Sequence, residues 1–252
     1  MTATLPEPLR PLARDPARSA VLLDFDGTLA EIVARPELAG PVEGAASVVR
    51  AAAGAFGLVA VISGRPSDDV RALLGVDGVR YLGLYGLEEE DAAPVSPEAM
   101  AAAVAAASGV GGARVEAKGG SVAVHYRQSN DPEAARAELL AALAAPPAGF
   151  EAIEGKMVVE LVPAGRARKG GAVRRLLGEA RPSAVLYAGD DLADLEAFAE
   201  LDRASENGVH AVRAAVAGPE TPDALATAAD VVVDGPANLV ALLEDLVAAA
   251  RG

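Results

Sequence analysis

Short apolar runs recur along this chain, and longer stretches with helical periodicity separate them. The four clearest runs lie at residues 20–23, 57–62, 184–188 and 230–233. Runs of this length without polar alternation are typical of parallel strands that are covered on both faces. Apolar residues at helical spacing predict helices at about 43–55, 66–74, 169–179, 191–200 and 236–250. The alternation predicts an α/β fold with a doubly wound, Rossmann-like parallel sheet.

One segment departs from this alternation. Between residues 97 and 164, two helical stretches, PEAMAAAVAAAS and DPEAARAELLAALAA, each precede a pair of short strands. Glycine joins the strands of each pair, which favours antiparallel hairpins. We therefore predict an inserted α+β domain at 97–164, with a core domain formed by 1–96 and 165–252. The proline-rich residues 1–19 are expected to form a loose lead-in.

Composition and charge narrow the function classes. The 252 residues are 52% hydrophobic and 23% charged, which is enough apolar material to bury a core. A net charge of -14 argues against nucleic acid or an anionic membrane as the main partner. The absence of cysteine excludes disulfides and thiolate metal sites. Prolines and charges interrupt the N-terminal region where a signal peptide needs an apolar stretch, so we expect a cytoplasmic protein.

Acidic residues follow two of the predicted strands. Asp24 and Asp26 lie in VLLDFDGTL, and Asp190, Asp191 and Asp194 lie in GDDLAD. In open α/β sheets, ligands bind at the carboxyl ends of the strands. Acids gathered there repel one another unless a cation lies among them, and carboxylate ligands favour a hard cation such as Mg²⁺. Taken singly, each acid is also an ordinary turn or cap residue.

A hydroxyl and an ammonium group accompany these acids. Ser63 follows the second predicted strand, in SGRP, and Lys169 opens a predicted helix. A cation at a helix start opposes the helix dipole, which favours a role in binding an anion such as phosphate. The alternatives are a helix-capping serine and a solvated lysine.

Together these motifs resemble the haloacid dehalogenase superfamily of phosphatases. DFDGT, a strand ending in Ser63, Lys169 and GDDLAD occur in the order of that superfamily, and the inserted domain matches the cap of its type IIB subgroup. SGRP, GLYGLE, HYR, GKMVVELVP and KG are similar to trehalose-6-phosphate phosphatases. Three positions depart from that family: Tyr85 replaces its usual His, Ala193 its usual Thr, and Leu195 its usual Glu.

The resemblance implies a role for each core motif. Asp24 would attack phosphorus and form an aspartyl phosphate. Asp26 would protonate the departing sugar oxygen and then accept a proton from the attacking water. Ser63 and Lys169 would bind the phosphoryl oxygens.

The resemblance also implies a magnesium ion at the acidic edge. The ligands would be the Asp24 carboxylate, the backbone carbonyl of Asp26, and Asp190. Asp191 and Asp194 would hold metal-bound water or orient the ligands.

Selectivity is expected in the inserted domain. Alternation along 121–127 places Val122, Val124 and Tyr126 on one face and the polar residues on the other. The resemblance implies that this polar face binds sugar hydroxyls. The expected substrate-binding residues of the whole chain are Arg65, Tyr85, Lys118, His125, Arg127, Lys156 and Glu160. A solvated outer face, and a structural role for His125, are the alternatives.

The expected function is Mg²⁺-dependent hydrolysis of trehalose 6-phosphate, a small sugar phosphate, to trehalose and phosphate. A rival substrate is another phosphorylated disaccharide or pseudo-disaccharide, which the Tyr85 departure would fit. A third alternative is a noncatalytic sugar-phosphate sensor. Sensing alone requires no acid for a leaving group, so the presence of Asp26 favours an enzyme.

Overall fold

The computed structural model describes residues 5–33, 38–89, 95–118, 120–155, 157–164 and 169–252. The chain divides into two compact units, one formed by Met1–Gly86 with Arg168–Gly252 and the other by Leu87–Ala167. The domain boundaries drawn from the sequence, at 96/97 and 164/165, stay predictions.

The strands and helices of the described residues are as follows. The strands are β1 (Ser19–Leu23), β2 (Leu58–Ile62), β3 (Arg80–Leu82), β4 (Arg114–Lys118), β5 (Ser121–His125), β6 (Phe150–Gly155), β7 (Val158–Pro163), β8 (Ala184–Gly189), β9 (His210–Ala217) and β10 (Val231–Asp234). The helices are α1 (Arg10–Arg14), α2 (Ala45–Ala53), α3 (Ser67–Leu74), α4 (Pro97–Ser108), α5 (Pro132–Ala142), α6 (Lys169–Ala180), α7 (Asp194–Glu206), α8 (Asp223–Ala228) and α9 (Gly235–Arg251).

The first unit contains a parallel sheet with helices on both faces. Within the described residues its strand order is β10-β9-β8-β1-β2-β3, and each neighbouring pair is parallel. Val21 and Leu23 of β1 pack with residues of α1, α2 and α9. Ala20 and Leu22 pack on the opposite face with residues of α6 and α7. The predicted doubly wound α/β class is therefore confirmed, because successive residues of the central strand enter two different cores.

The expected loose lead-in is wrong. The segment ahead of β1 contains α1, and Leu9 and Leu12 are fully buried in the same cluster as Leu239 and Leu243 of α9. The leucines at 5, 9 and 12 have helical spacing, which the intervening prolines obscure. Proline is tolerated in the first turn of a helix, where its missing N–H would have no helical partner.

Besides α1, two strands and one helix were not predicted from the sequence. The strand β3 is only three residues long, and β9 is rich in alanine and contains Arg213. Arg213 is held beside the sheet by ion pairs to Asp202 and Asp230. Alanine has low strand propensity, so β9 owes its conformation to pairing with β8 and β10 on either side. The short helix α8 follows β9.

The second unit has an antiparallel sheet of its own. Its strand order is β4-β5-β7-β6, and each pair is antiparallel. The side chains of Val122, Val124 and Leu161 form a core with the apolar faces of α4 and α5. Ser96 and Asp131 cap these two helices by accepting hydrogen bonds from backbone N–H groups. The predicted alternation of apolar and polar faces in β5 is confirmed.

Across the part of the chain that the structure describes, every helix is too short or too polar to span a bilayer.

The core of the second unit gives a stability prediction. Leu139 of α5 is fully buried, whereas the adjacent Leu140 is only partly buried against the same cluster. We expect Leu139→Ala to lower the free energy of unfolding by about 2–5 kcal/mol, because it leaves a cavity in a packed core. Leu140→Ala, the matched control, should cost clearly less. Urea unfolding measures both losses, and equal losses would contradict the packing described here.

Candidate active site

The predicted site residues of the first unit converge where three neighbouring strands end. The central strand β1 lies between β8 and β2, and the Asp24 N–H donates to the carbonyl of Ala188 at 2.9 Å. Asp24, Ser63 and Asp190 follow these three parallel strands and are 4%, 1% and 1% exposed. The carboxyl edge of the sheet therefore carries two buried acids and a buried hydroxyl, at the position where α/β sheets bind ligands.

The turn after β1 closes tightly against Asp190. Gly27 has a φ of +79°, and a Cβ on this residue would lie 2.0 Å from Oδ2 of Asp190. The hydroxyl of Thr28 donates to Oδ1 of the same carboxylate at 3.5 Å. A glycine is required here both by the left-handed backbone and by the lack of space.

Asp194, at the start of α7, organises the loop that carries Asp190. Among the described residues, its Oδ2 accepts hydrogen bonds from the backbone N–H groups of Asp190 and Asp191, at 2.9 and 2.8 Å. Its Oδ1 accepts from Lys169 Nζ and from the Tyr187 hydroxyl, each at 2.7 Å. These four donors match the acceptor capacity of a carboxylate. Asp194 therefore uses its carboxylate to position these neighbouring groups.

Lys169 lies between two acids. Its Nζ is 2.9 Å from Oδ1 of Asp24 and 2.7 Å from Oδ1 of Asp194, and its side chain is 3% exposed. Burial opposes the charged form, but the carboxylates of Asp194 and Asp24 outweigh it and raise the pKa of Lys169 well above its ordinary value. Lys169 is thus a fixed positive charge in contact with Asp24.

The acids outnumber this cation. Asp24, Asp190 and Asp194 form a buried cluster with ligand atoms within 4.8 Å of one another. Burial raises the pKa of Asp24 well above its ordinary value; Lys169 pulls it down, while Asp194 and Asp190 raise it further. Three carboxylates and one ammonium carry a net charge of about -2 when all are ionised. A divalent cation would neutralise this charge and favour the carboxylate form of Asp24.

The donor set fits a hard cation such as Mg²⁺. Asp24 and Asp190 provide carboxylate oxygens, the ligand type that this ion prefers. Asp194 belongs to the same cluster, but its four hydrogen bonds leave its oxygens little capacity for direct coordination. Asp194 therefore fits an outer role, in which it positions Asp190 and Lys169.

Asp26 forms a bidentate ion pair with Arg65. Nε and one terminal nitrogen of the guanidinium donate to the two carboxylate oxygens at 2.7 and 2.8 Å. The guanidinium of Arg65 also lies over the ring of Phe25, with 5.8 Å between Cζ and the ring centroid. The backbone N–H of Arg65 donates to Oγ of Ser63. The loop after β2 thereby fixes the direction of the second acid of the DxD pair. Sequence reasoning placed Arg65 with the substrate and did not foresee this pairing.

Tyr85 occupies an unusual backbone position beside Ser63. Both Leu84 and Tyr85 have positive φ angles, of 50° and 58°, a backbone conformation that residues other than glycine rarely adopt. Hydrogen bonds from these two residues to the carbonyls of Arg65 and Ser63 support the conformation. A Cβ on Gly64 would lie 2.7 Å from the Tyr85 hydroxyl, so the ring packs directly over this glycine.

The predicted sugar-binding residues lie in the second unit. Glu160 of β7 is 4% exposed and accepts a hydrogen bond from the Ser121 hydroxyl at 2.7 Å. Nε2 of His125 is 2.7 Å from a carboxylate oxygen of Glu116, on the neighbouring strand. Arg127 follows β5 and is partly exposed. The adjacent strands β4, β5 and β7 thus bring acidic, hydroxyl and imidazole groups into one sheet.

Two of the predicted sugar-binding lysines lie wholly or partly outside what the structure describes. Lys118 ends β4, but its side chain is outside what the structure describes. Lys156 lies outside the described residues. Both remain predictions from the sequence.

Sequence reasoning missed two side chains of the site. Thr28 and Tyr187 donate hydrogen bonds to Asp190 and Asp194 respectively. The signal for Tyr187 was present, since it is the only polar side chain in the predicted strand AVLYA. Thr28 directly follows the DxDG turn, where its hydroxyl had no partner that a sequence pattern identifies.

Comparison with solved structures defines the fold. The C-terminal domain of Candida albicans trehalose-6-phosphate phosphatase superposes with a TM-score of 0.79 at 20% identity, covering 98% of this chain and 99% of that one. A haloacid dehalogenase-like hydrolase from Bacteroides thetaiotaomicron gives 0.62 at 14% identity, covering 90% and 98%. The fold is therefore that of the haloacid dehalogenase-like hydrolases.

Sequence comparison then identifies the family. The trehalose-phosphatase family matches residues 22–232, and the chain belongs to this family. Trehalose-phosphate phosphatase of Mycobacterium ulcerans is 34% identical over 227 residues, covering 81% of this chain and 57% of that protein. A Mycobacterium tuberculosis protein described as an uncharacterized glycosyl hydrolase is 39% identical over 201 residues, covering 72% and 15%. This chain thus spans only part of the length of these relatives.

The contact between Gly27 and Asp190 gives a second prediction. Gly78 is a matched control, because its φ is +78° and the nearest atom to an added Cβ is 3.9 Å away. We expect Gly78→Ala to cost about 1–2 kcal/mol of unfolding free energy through the left-handed backbone alone. Gly27→Ala should cost more, since it must also displace Asp190. Equal losses in chemical denaturation would show that the two loops separate freely.

Proposed function

We propose that this chain is a phosphatase that hydrolyses trehalose 6-phosphate to trehalose and phosphate through an aspartyl-phosphate intermediate. Membership of the trehalose-phosphatase family supports the substrate and the reaction class. The observation that carries the mechanism is the buried Asp24 carboxylate, held by Lys169 beside Asp190.

In this proposal Asp24 is the nucleophile. A carboxylate oxygen of Asp24 attacks phosphorus, and the bond from phosphorus to the sugar oxygen breaks. The phosphate dianion repels an approaching carboxylate, so positive charge and hydrogen-bond donors must surround the phosphoryl oxygens. The Lys169 ammonium and the Ser63 hydroxyl supply them at the edge that carries Asp24.

Asp26 serves as the acid and then the base. It donates a proton to the departing sugar oxygen, and its carboxylate later takes a proton from the water that attacks the aspartyl phosphate. The bidentate pair with Arg65 occupies both oxygens of the ionised Asp26 carboxylate, so in this proposal the pair opens before Asp26 carries the proton that it donates. Arg65 is thereby assigned to Asp26 first, and to the substrate phosphate only if the pair opens.

Magnesium is the proposed cofactor. The Asp24 carboxylate, Asp190 and the backbone carbonyl of Asp26 would hold it, with Asp191 and Asp194 in outer positions. When bound, the ion supplies positive charge that offsets the phosphoryl and carboxylate oxygens. The net negative charge of the buried cluster supports a divalent rather than a monovalent ion.

Sugar recognition is assigned to the inserted domain, at 97–164. Its proposed contacts to the sugar hydroxyls are Lys118, His125, Arg127, Lys156 and Glu160. The buried Glu160 is a strong candidate, because Ser121 fixes its carboxylate while hydroxyl groups of a sugar are good donors to such an acid. Tyr85, packed on Gly64 beside Ser63, is proposed as a substrate-binding residue of the first unit. The cytoplasmic location stays a prediction.

A substrate panel tests the proposal. We expect Mg²⁺-dependent phosphate release from trehalose 6-phosphate to exceed release from glucose 6-phosphate, sucrose phosphate and phosphorylated pseudo-disaccharides. Asp24→Asn should lower turnover by about a thousandfold or more, since an amide is not a nucleophile here. Circular dichroism should confirm that this variant is folded.

Each contrary result has a defined meaning. A pseudo-disaccharide phosphate hydrolysed faster than trehalose 6-phosphate would support the rival substrate that the Tyr85 departure suggests. Tight binding of one sugar phosphate without turnover of any would support the sensor. Parent-level activity in Asp24→Asn would exclude Asp24 as the nucleophile.

Glu160 gives a separate prediction about selectivity. We expect Glu160→Ala to raise KM for the sugar phosphate by roughly tenfold, because a charged acceptor for sugar hydroxyls is lost. KM for p-nitrophenyl phosphate, which lacks the sugar, should change by less than about twofold. The control is Glu138→Ala, at an exposed position of α5 in the same unit. Equal effects on both substrates would place Glu160 outside sugar recognition.

A further inference from the structure

The buried hydroxyl of Tyr187 lies next to Asp194 of the candidate site. Tyr187 is the fourth residue of β8 and is fully buried. Its ring meets the ring of Phe198 edge-on, with centroids 6.2 Å apart and an interplanar angle of 86°. Its hydroxyl donates to Oδ1 of Asp194 at 2.7 Å. The ring is thus fixed by packing, and its hydroxyl has a defined acceptor.

The same oxygen of Asp194 also accepts a hydrogen bond from the ammonium group of Lys169. Oδ1 of Asp194 also accepts from Lys169 Nζ, and the same ammonium contacts Oδ1 of Asp24 at 2.9 Å. A continuous chain of contacts therefore runs from Tyr187 through Asp194 and Lys169 to Asp24. Each of these four residues is at most 4% exposed.

The hydroxyl affects how Lys169 divides its contacts between two carboxylates. Part of the negative charge on Oδ1 of Asp194 is taken up by the Tyr187 hydroxyl, which weakens the pull of this oxygen on the ammonium. In a buried network such hydrogen bonds polarise one another, so the loss of one changes the others. Without the hydroxyl, Lys169 would be drawn toward Asp194 and away from Asp24.

We propose that Tyr187 is a positioning residue, which acts through Asp194 to hold the Lys169 ammonium against Asp24 and the transferred phosphoryl group. This inference rests on the proposed function, in which Asp24 is the nucleophile and Lys169 binds phosphoryl oxygens. In this proposal Tyr187 acts on Asp24 through Asp194 and Lys169.

A purely structural role for the hydroxyl predicts a different outcome. Buried tyrosine hydroxyls generally have a hydrogen-bond partner, whether or not they contribute to function. Tyr81 of β3 is such a case in the same sheet, since it is 7% exposed and its hydroxyl donates to the carbonyl of Val76 at 2.8 Å. Tyr81→Phe is therefore the matched control for Tyr187→Phe, because each removes one buried hydroxyl.

The experiment compares kcat and KM of both variants with Mg²⁺ on the best substrate of the panel. We expect Tyr187→Phe to lower kcat by about 10- to 100-fold, the usual effect of losing a group that orients a site residue, with KM within about twofold. Tyr81→Phe should retain kcat within about twofold. A kcat of Tyr187→Phe near the parent value, or equal losses in both variants, would overturn the proposal.

A double-mutant cycle tests the route through Lys169. In a Lys169→Ala background, Tyr187→Phe should cause no further loss of kcat, because the group that it positions is absent. The same fold loss in both backgrounds would show that the hydroxyl acts by another route and would overturn the proposal.

A spectroscopic measurement separates failure of this inference from failure of the proposed function. The chain has three lysines, so the buried ammonium of Lys169 can be assigned by nitrogen-15 NMR with a Lys169→Arg variant. We expect Tyr187→Phe to shift this resonance and Tyr81→Phe to leave it in place. An unshifted resonance would overturn the positioning role even if the enzyme is active. A shifted one in a chain that turns over no member of the panel would reject the proposed function and retain the contact.

Discussion

Three buried carboxylates lie close to one another, one ammonium group contacts two of them, and the first unit is arranged to keep these groups together. Charges held this way are costly to bury unless each has partners. Strand order provides the meeting place, because β8, β1 and β2 end side by side. The contacts of Asp194 provide the partners, and they fix the loop of Asp190 and the side chain of Lys169 at once.

This arrangement assigns the acids of one motif to different tasks. Asp190 and Asp194 are only four residues apart, yet one lies against the turn of Gly27 while the other accepts four hydrogen bonds from its neighbours. The DxD pair is divided in a similar way. Asp24 contacts a buried lysine, whereas the partly exposed Asp26 contacts an arginine from the next strand's loop. Identical side chains acquire distinct chemistry from their partners.

The convergence of Asp24, Ser63 and Asp190 was predictable, because parallel strands present their carboxyl ends at one edge whatever the details of the loops. The pairing of Arg65 with Asp26 was not. It depends on the direction in which a loop sends a side chain, and a sequence pattern does not encode that direction. Local propensity also failed for the alanine-rich β9, whose conformation is imposed by neighbours on both sides. The roles of the site residues stay predictions.

One unit is formed by a single chain segment and the other by two separate segments, which affects the order in which their residues become available during synthesis. Residues 87–167 form one uninterrupted unit, whose hairpins and helices pair over short distances. In the other unit the central strand β1 needs β8, and Leu9 packs with residues of the last helix. The inserted unit can therefore complete its structure while the surrounding one still waits for its C-terminal half. Because β1 pairs with β8 and the acidic edge includes Asp190, this edge can form only after the residues of the inserted unit have been synthesised.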